Sequence, residues 1–357
     1  MNFHGGYFGK DKLVDFSVNI PPIPYDDSYR KMLIDHINTL QKYPELSGEE
    51  TKRALSKRLG YKSEALILGN GATELIYLFA RTQEVKKALI LEPTFTEYKR
   101  ALKTYQVEIL RHDLDLSAPQ NLDTEKIINR INAEAIDLLV ICNPNNPTGH
   151  LYKIEDLQRI LEGVRTPGFK LFIDESFIDF VSVDYQKAYD VAMKRLMDQY
   201  TIFLLRSMTK TFSVPGLRIG YGIGDANLIH KMHKYKEPWS LNTFALVSMP
   251  YFLDQKDQID AVNVWSRREN VYMAEGLENI KGLKLIKGEA NYHLIEIINM
   301  SGQVFFDRMI ERGIYLRTCL DFDGLGEQFF RVALRQHEDN KWFLTQLSEV
   351  LNVGDTI

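Results

Sequence analysis

Two hydrophobic periods alternate along the first two thirds of the chain. Short continuous apolar runs at 65–68, 88–91, 107–110, 136–141, 170–173 and 201–205 have the length expected of buried strands. Between them the spacing turns helical. Leu33, Ile34, Ile37 and Leu40 predict a helix over 26–41, closed by Tyr43-Pro44. Ser47-Gly48-Glu49-Glu50 resembles a capping box for a second helix that runs through Leu59 and stops at Gly60. Leu75, Leu78 and Phe79 mark a third, and further helices are expected from about Phe95 and over 124–133. Strands and helices in this alternation predict an α/β unit: a three-layer arrangement around a mostly parallel sheet.

After Gly222 the pattern changes. Helices dominate 225–279, interrupted around Pro238-Trp239-Ser240-Leu241-Asn242. Strands follow at 282–286 and 291–297, a helix at 302–312, and strands ending near Arg317 and Ala333. A last helix starts near 338 and puts Phe343, Leu347, Val350 and Leu351 on one side. This mixture predicts a smaller α+β domain. At the other end, Pro21, Pro22 and Pro24 exclude a helix from the first 25 residues. The expected organisation is an N-terminal arm over 1–25, a large α/β domain over 26–235, and linker helices with the small domain over 236–357. By composition alone the arm reads as a mobile tail; the functional reading is that it lies over the active site and contributes His4.

Hydrophobic residues make up 45% of the 357, enough for a sizeable core in a large domain with a companion. The balance of 44 basic against 48 acidic side chains gives no general affinity for nucleic acid or anionic membrane. Cys142 and Cys319 form neither a disulfide framework nor a metal-ligand spacing, which suits a reducing compartment. No apolar run reaches the ~20 residues that span a bilayer, and the first residues lack a signal-peptide core. A cytoplasmic protein is expected.

The candidate chemistry gathers at strand ends, where α/β folds place their ligands. Lys210 follows the 201–205 run with Ser207, Thr209 and Arg218 nearby: an amine beside anion-binding groups. That is what pyridoxal 5′-phosphate requires, an amine for the aldehyde and donors for the phosphate. Gly69-Asn70-Gly71-Ala72-Thr73-Glu74 joins a strand to a helix N-terminus, a second anion site or a plain glycine turn. Glu92-Pro93-Thr94-Phe95 sets an aromatic ring past another strand. Asn143-Pro144-Asn145-Asn146-Pro147-Thr148-Gly149 is a turn able to hold a cis proline and aim an amide at a ligand. Asp174 closes a buried strand, where it needs a partner such as a pyridinium N–H, unless it caps a helix. Arg317 and Arg331 flank small-domain strands; each alone could be a surface charge.

Taken in order, the glycine-rich turn, Asn-Asn-Pro-Thr-Gly, the Asp-Glu pair and Ser-x-x-Lys with its later arginine resemble the fold-type-I pyridoxal-phosphate enzymes, the aspartate aminotransferase superfamily. Within it the chain looks most like the threonine-phosphate decarboxylases of cobalamin biosynthesis, close relatives of the histidinol-phosphate aminotransferases. The blocks carrying this are His4-Gly5-Gly6, Asp15-Phe16-Ser17-Val18-Asn19, Asp174-Glu175-Ser176-Phe177-Ile178-Asp179-Phe180, Ala290-Asn291-Tyr292, Arg317-Thr318-Cys319 and Arg331-Val332-Ala333-Leu334-Arg335. The His-Gly-Gly opening and Phe177, where many aminotransferases carry tyrosine, favour the decarboxylases.

The resemblance implies that Lys210 holds the cofactor covalently, Asp174 pairs with its ring nitrogen, Asn146 donates to its phenolic oxygen and Phe95 stacks on its face. It implies that Ala72, Thr73, Ser207, Thr209 and Arg218 hold the cofactor phosphate. Tyr43 would reach the phosphate in a neighbouring subunit, hence a homodimer with shared sites. Arg331 would bind the substrate carboxylate, His4 and Arg317 the substrate phosphate, with Gly5 and Asn19 beside them. The family's usual Asn-Ile-Asn-Pro stands here as Asn19-Ile20-Pro21-Pro22. The implied reaction is decarboxylation of O-phospho-L-threonine to 1-amino-2-propanol O-phosphate, or of O-phospho-L-serine to ethanolamine phosphate. The alternative is transamination of the histidinol-phosphate type.

Overall fold

The computed structural model describes residues 5–10, 12–82, 84–118 and 121–352. Its centre is a seven-stranded sheet: β1 Leu66–Asn70, β2 Lys87–Glu92, β3 Glu108–Asp113, β4 Leu138–Cys142, β5 Lys170–Asp174, β6 Ile202–Ser207 and β7 Ile219–Ile223. Their order is β1-β7-β6-β5-β4-β2-β3. The pairs from β6 to β3 are parallel, and β7 runs antiparallel between β1 and β6. Successive side chains point to opposite faces of a strand. So β4 sends Leu139 and Ile141 into one core and Leu138, Val140 and Cys142 into another. β6 divides Ile202 and Leu204 from Phe203 and Leu205 in the same way. With helices on both faces, this is the expected three-layer architecture.

Three elements of the large domain have no counterpart in the sequence reading: helices Ile154–Gly163 and Val183–Met197, and strand β7. The β7 sequence, Ile-Gly-Tyr-Gly-Ile, carries glycines that lower strand propensity, so the hydrophobic pattern hides it. Packing calls for them. A Cβ at Gly222 would strike the Phe203 ring, and one at Gly220 would strike the backbone of Ala72.

The small domain has an antiparallel sheet of β8 Leu283–Ile286, β9 Tyr292–Ile297, β10 Arg317–Thr318 and β11 Phe329–Ala333, in the order β10-β11-β9-β8. Helices Lys256–Glu278, Gly302–Glu311 and His337–Asn352 contribute to its core, and the last of them buries Phe343, Leu347, Val350 and Leu351 as the sequence predicts. The helix before them, Thr243–Asp254, packs Ala245, Leu246, Met249 and Phe252 into the large-domain core instead.

Three local expectations are corrected. The arm is not a loose tail over its described residues. Val14–Asp15 pairs in parallel with Ile314–Tyr315, Phe16 is fully buried in the small-domain core, and the Ala333 N–H donates to the Phe16 carbonyl at 2.9 Å. The helix expected over 26–41 is Asp27–Asp35 followed by a 3-10 turn, Ile37–Gln41. Ile34, Ile37 and Leu40 lie exposed, and Tyr29 is the inward residue. The capping box at Ser47 does not form. Gly48 is the N-cap with φ +63°, and the Glu45 carboxylate accepts from the Glu49 N–H at 2.8 Å.

Candidate active site

The carboxyl ends of β4, β5 and β6, the N-terminus of helix Gly71–Thr82, the arm and β10–β11 enclose one cavity of about 390 Å³. Each contributes for a local reason. Lys210 stands in a single helical turn, Met208–Thr211, directly after β6, so a rigid strand end delivers it to the cavity floor. Burial, with Arg331 and Arg218 nearby, favours its neutral form and brings its pKa down to about 8. Ser207 and Thr209 bracket the start of that turn with hydroxyls 2.7 Å apart.

Gly71 opens the helix facing them with φ +77°. A side chain there would collide with the Arg218 guanidinium, so glycine is what lets Arg218 approach the helix N-terminus. The Gly71 N–H donates to the Arg218 carbonyl at 2.9 Å. Ala72, Thr73, Ser207, Thr209 and Arg218 all line this end of the cavity. A helix N-terminus, two hydroxyls and a guanidinium are groups that could hold a phosphate.

Asp174 ends β5 and is 4% exposed. Its Oδ1 accepts from the Ser176 N–H at 2.8 Å and its Oδ2 from the Tyr98 hydroxyl at 2.7 Å. Burial raises its pKa, and among the described residues no cation pairs with it. The next residue is its opposite. Glu175, on the other face, forms an ion pair with Arg206 at 2.7 Å, and Arg206 also meets Asp190 at 2.7 Å.

The turn after β4 sorts its two asparagines. Asn145 is tied down: its amide donates to the Pro93 carbonyl and the Thr148 hydroxyl, both at 2.9 Å, and its oxygen accepts from Thr94. Asn146 lines the cavity, and the Asn146–Pro147 bond is cis. Its Oδ1 accepts from Arg331 Nη1 at 2.6 Å, which leaves the amide nitrogen for a ligand. Phe95 lines the same space, edge-on to Tyr98.

The opposite wall carries the arginines. Arg317 and Arg331 are direct partners in the β10–β11 register and both line the cavity. Arg331 also donates to the Ser17 carbonyl at 2.8 Å and lies over the Tyr292 ring at 5.1 Å; its buried Nε has no partner among the described residues. Arg317 pairs with Asp321 at 2.7 Å and lies over Phe322. Of the arm, Gly5 and Asn19 line the cavity, and the buried Asn19 amide nitrogen has no partner among the described residues. Phe177 closes one side, edge-on to Tyr292. His4 falls outside the described residues; Tyr43 does not line this cavity and is 82% exposed on the surface, against Trp239.

The sequence reading missed Tyr98, Tyr292 and Asp321. Tyr98 offered the best signal, since it stands one helical turn after Phe95 and would share its face.

Residues 11–347 match the family described as Aminotransferase class I and II. The chain belongs to that family. It is 32% identical to the threonine-phosphate decarboxylase of Salmonella typhimurium over 346 residues, 96% of this chain and 92% of that one. Its fold is similar to the solved histidinol-phosphate aminotransferase of Clostridium acetobutylicum, with TM-score 0.86 and 30% identity over 96% of this chain and 100% of the other. The L-threonine-O-3-phosphate decarboxylase of Porphyromonas gingivalis has the same fold, with TM-score 0.82 and 23% identity over 94% and 99%.

With the family comes its cofactor: the chain is a pyridoxal-phosphate enzyme. The residues fit that group. A lysine with depressed pKa, a carboxylate and an amide nitrogen that no described residue pairs with, and groups able to hold a phosphate share one cavity.

Proposed function

We propose that the enzyme decarboxylates O-phospho-L-threonine to 1-amino-2-propanol O-phosphate, in the cytoplasm and for cobalamin side-chain synthesis. O-phospho-L-serine would be a close second substrate, because one methyl changes transition-state binding by only about 1–3 kcal/mol. The observation that carries this reading is the register pairing of Arg317 with Arg331. Two guanidinium groups on adjacent strands face one cavity and suit a short substrate with an anion at each end.

Bound pyridoxal phosphate supplies an electron sink for whichever Cα bond is held perpendicular to its ring. The protein's part is to choose that bond and to handle the proton. Arg331, already oriented by Asn146 and the Ser17 carbonyl, grips the α-carboxylate. Arg317, with His4 and the arm residues Gly5 and Asn19, grips the phosphate. Holding both ends fixes the direction of the carboxylate, so CO₂ is the group that leaves. Lys210, its pKa near 8, then returns a proton to Cα. On the cofactor side, Asp174 would meet the ring nitrogen, Asn146 the phenolic oxygen and Phe95 the ring. Ala72, Thr73, Ser207, Thr209 and Arg218 would hold the cofactor phosphate. Phe177 cannot donate to the phenolic oxygen.

The same proposal includes a homodimer. Ile34, Ile37, Leu40, Tyr43, Leu46 and Trp239 are all at least 48% exposed, a set of apolar side chains that a second copy would cover. Tyr43 within this set would reach the partner's cofactor phosphate.

Transamination of the histidinol-phosphate type is the second reading, favoured by the likeness to the Clostridium acetobutylicum enzyme. Incubating the cofactor-loaded protein with O-phospho-L-threonine and no keto acid separates the two. Sustained CO₂ release is expected. One-time conversion of the cofactor to its amine form, without CO₂, would overturn decarboxylation and favour the second reading.

A further inference from the structure

We propose that Tyr98 is a positioning residue for the cofactor, acting through Asp174. Tyr98 lies in helix Glu97–Thr104, which starts just past β2, while Asp174 ends β5, two strands away in the sheet. Nothing in the chain's local pattern joins them; the hydroxyl-to-Oδ2 hydrogen bond at 2.7 Å does. The Ser176 N–H takes the other oxygen at 2.8 Å. These two donors, together with the Ser176 hydroxyl, hold the carboxylate plane, and all are neutral. No cation among the described residues pairs with Asp174, so its carboxylate is left for a cationic ring N–H.

Ser176, two residues on in the chain, holds Asp174 locally; Tyr98 is the remote side chain that does so. Tyr98 is 2% exposed, so no water replaces its hydroxyl. The other titratable groups near Asp174 are Cys142 and Tyr292. The Cys142 thiol is directed to the Pro144 carbonyl at 3.3 Å and the Tyr292 hydroxyl to the Asn145 carbonyl at 3.0 Å, so neither holds the carboxylate. Tyr98 also stands edge-on to Phe95, ring centroids 5.6 Å apart. One side chain thus supports both the group assigned to the ring nitrogen and the group assigned to the ring face. Removing the hydroxyl leaves a buried carboxylate with one donor fewer. Burial already raises the Asp174 pKa, and losing the donor raises it further, toward a neutral acid that no longer attracts a pyridinium.

This inference rests on the assignment of Asp174 to the ring nitrogen, and the test separates the two. The full-length apoenzyme is prepared as wild type, Tyr98→Phe, Asp174→Asn and the double variant. Each is titrated with pyridoxal 5′-phosphate for Kd, and the pH midpoint of the bound cofactor's visible absorbance is recorded. Tyr98→Phe keeps the ring and its packing, so its apo-form melting temperature stays close to that of the wild type. Its Kd rises by about tenfold or more, the scale of a hydrogen bond to a charged group. Its pH midpoint moves in the same direction as in Asp174→Asn. In the Asp174→Asn background the tyrosine change adds less than about twofold, because its effect has lost its route. Wild-type Kd and midpoint in Tyr98→Phe, beside altered values in Asp174→Asn, would overturn the role of Tyr98 alone. So would effects that simply multiply in the double variant. An unchanged Asp174→Asn would overturn the assignment of Asp174, and the inference with it.

Discussion

On the large-domain side of the cavity, the side chains stand within a few residues of buried strand ends: Asn146 after β4, Asp174 closing β5, Lys210 after β6. Their positions are set by a sheet whose strands are packed on both faces, so little conformational entropy is left for them to lose. The small-domain side is assembled differently. Arg317 and Arg331 face the cavity through a two-residue strand pairing, and the arm is held by three kinds of contact. These are a short parallel bridge, Phe16 in the core, and Arg331 and Arg335 donating to carbonyls of Ser17 and Asp15. The first wall stands on packed strand ends, with Lys210 and with Asp174, which no cation among the described residues pairs with. The second is cationic and held by polar contacts that a substrate anion would compete for or join. We read the first as the cofactor's wall and the second as the substrate's. Changes on the first should alter cofactor affinity and kcat, and changes on the second chiefly KM and substrate choice.

The largest effect expected is on the cofactor's wall. Lys210→Ala should lower kcat for O-phospho-L-threonine by ~10³-fold or more, the scale of losing a positioned acid–base group and more. Turnover by single-point CO₂ assay and cofactor retention on gel filtration would check both parts. The same residue carries a pH signature. An ordinary lysine titrates near 10.4, whereas burial and two arginines bring Lys210 to about 8. Only the neutral amine attacks the cofactor aldehyde, so capture of pyridoxal phosphate by the apoenzyme should speed up as pH rises through about 8. Arg331→Leu removes one of the repelling charges and should move that midpoint upward; a downward move would contradict the electrostatic account.

The substrate wall comes next. Arg331→Leu and Arg317→Leu should each lower kcat/KM by ~30-fold or more, about 2 kcal/mol for a lost charged anchor. Arg317→Leu should spare non-phosphorylated amino acids. Equal losses for phosphorylated and non-phosphorylated substrates would erase the distinction between the two arginines. Behind the cofactor's wall, Glu175→Gln offers the contrast to Asp174→Asn. It breaks a buried ion pair with Arg206 and should destabilise the fold by about 3 kcal/mol in urea denaturation, with cofactor affinity little changed.

The smallest change is expected in the arm. The Asp15 carboxylate accepts from the Tyr7 and Ser17 backbone N–H groups at 2.9 and 2.7 Å and ties residues 5–7 back toward 15–17. Asp15→Ala should raise KM for O-phospho-L-threonine a few-fold, roughly 0.5–1.5 kcal/mol for the lost hydrogen bonds, and leave the cofactor Kd alone. A change in Kd instead would mean that the arm belongs to the cofactor's wall.

The layered sheet and the strand-end motifs could be read in the chain because they are local. A buried strand of five or six residues, a glycine turn and a helix start are contiguous, and each leaves its own period or punctuation. Where several forces compete, the reading failed. Glycines hid β7, because there the packing of Phe203 outweighs strand propensity. Apolar spacing at Ile34, Ile37 and Leu40 predicted a buried helix face, yet these residues lie exposed, since periodicity does not say what covers a stripe.

From the sequence alone came the alternating α/β order, the smaller domain after it, the candidate lysine and carboxylate, and the pairing of an amine with anion-binding groups. The family resemblance already named Asn146 over Asn145 and Asp174 over Glu175; only the tertiary structure supplied the contacts behind that choice, Asn145 tied to its own turn and Glu175 paired with Arg206. It also seated the arm in the small-domain core and brought Tyr98 to Asp174. The physical reason is the same throughout. Neighbours on a strand point to opposite faces, and a buried polar group is satisfied by whatever the fold brings beside it. The partner is usually remote in sequence and is chosen when the layers close.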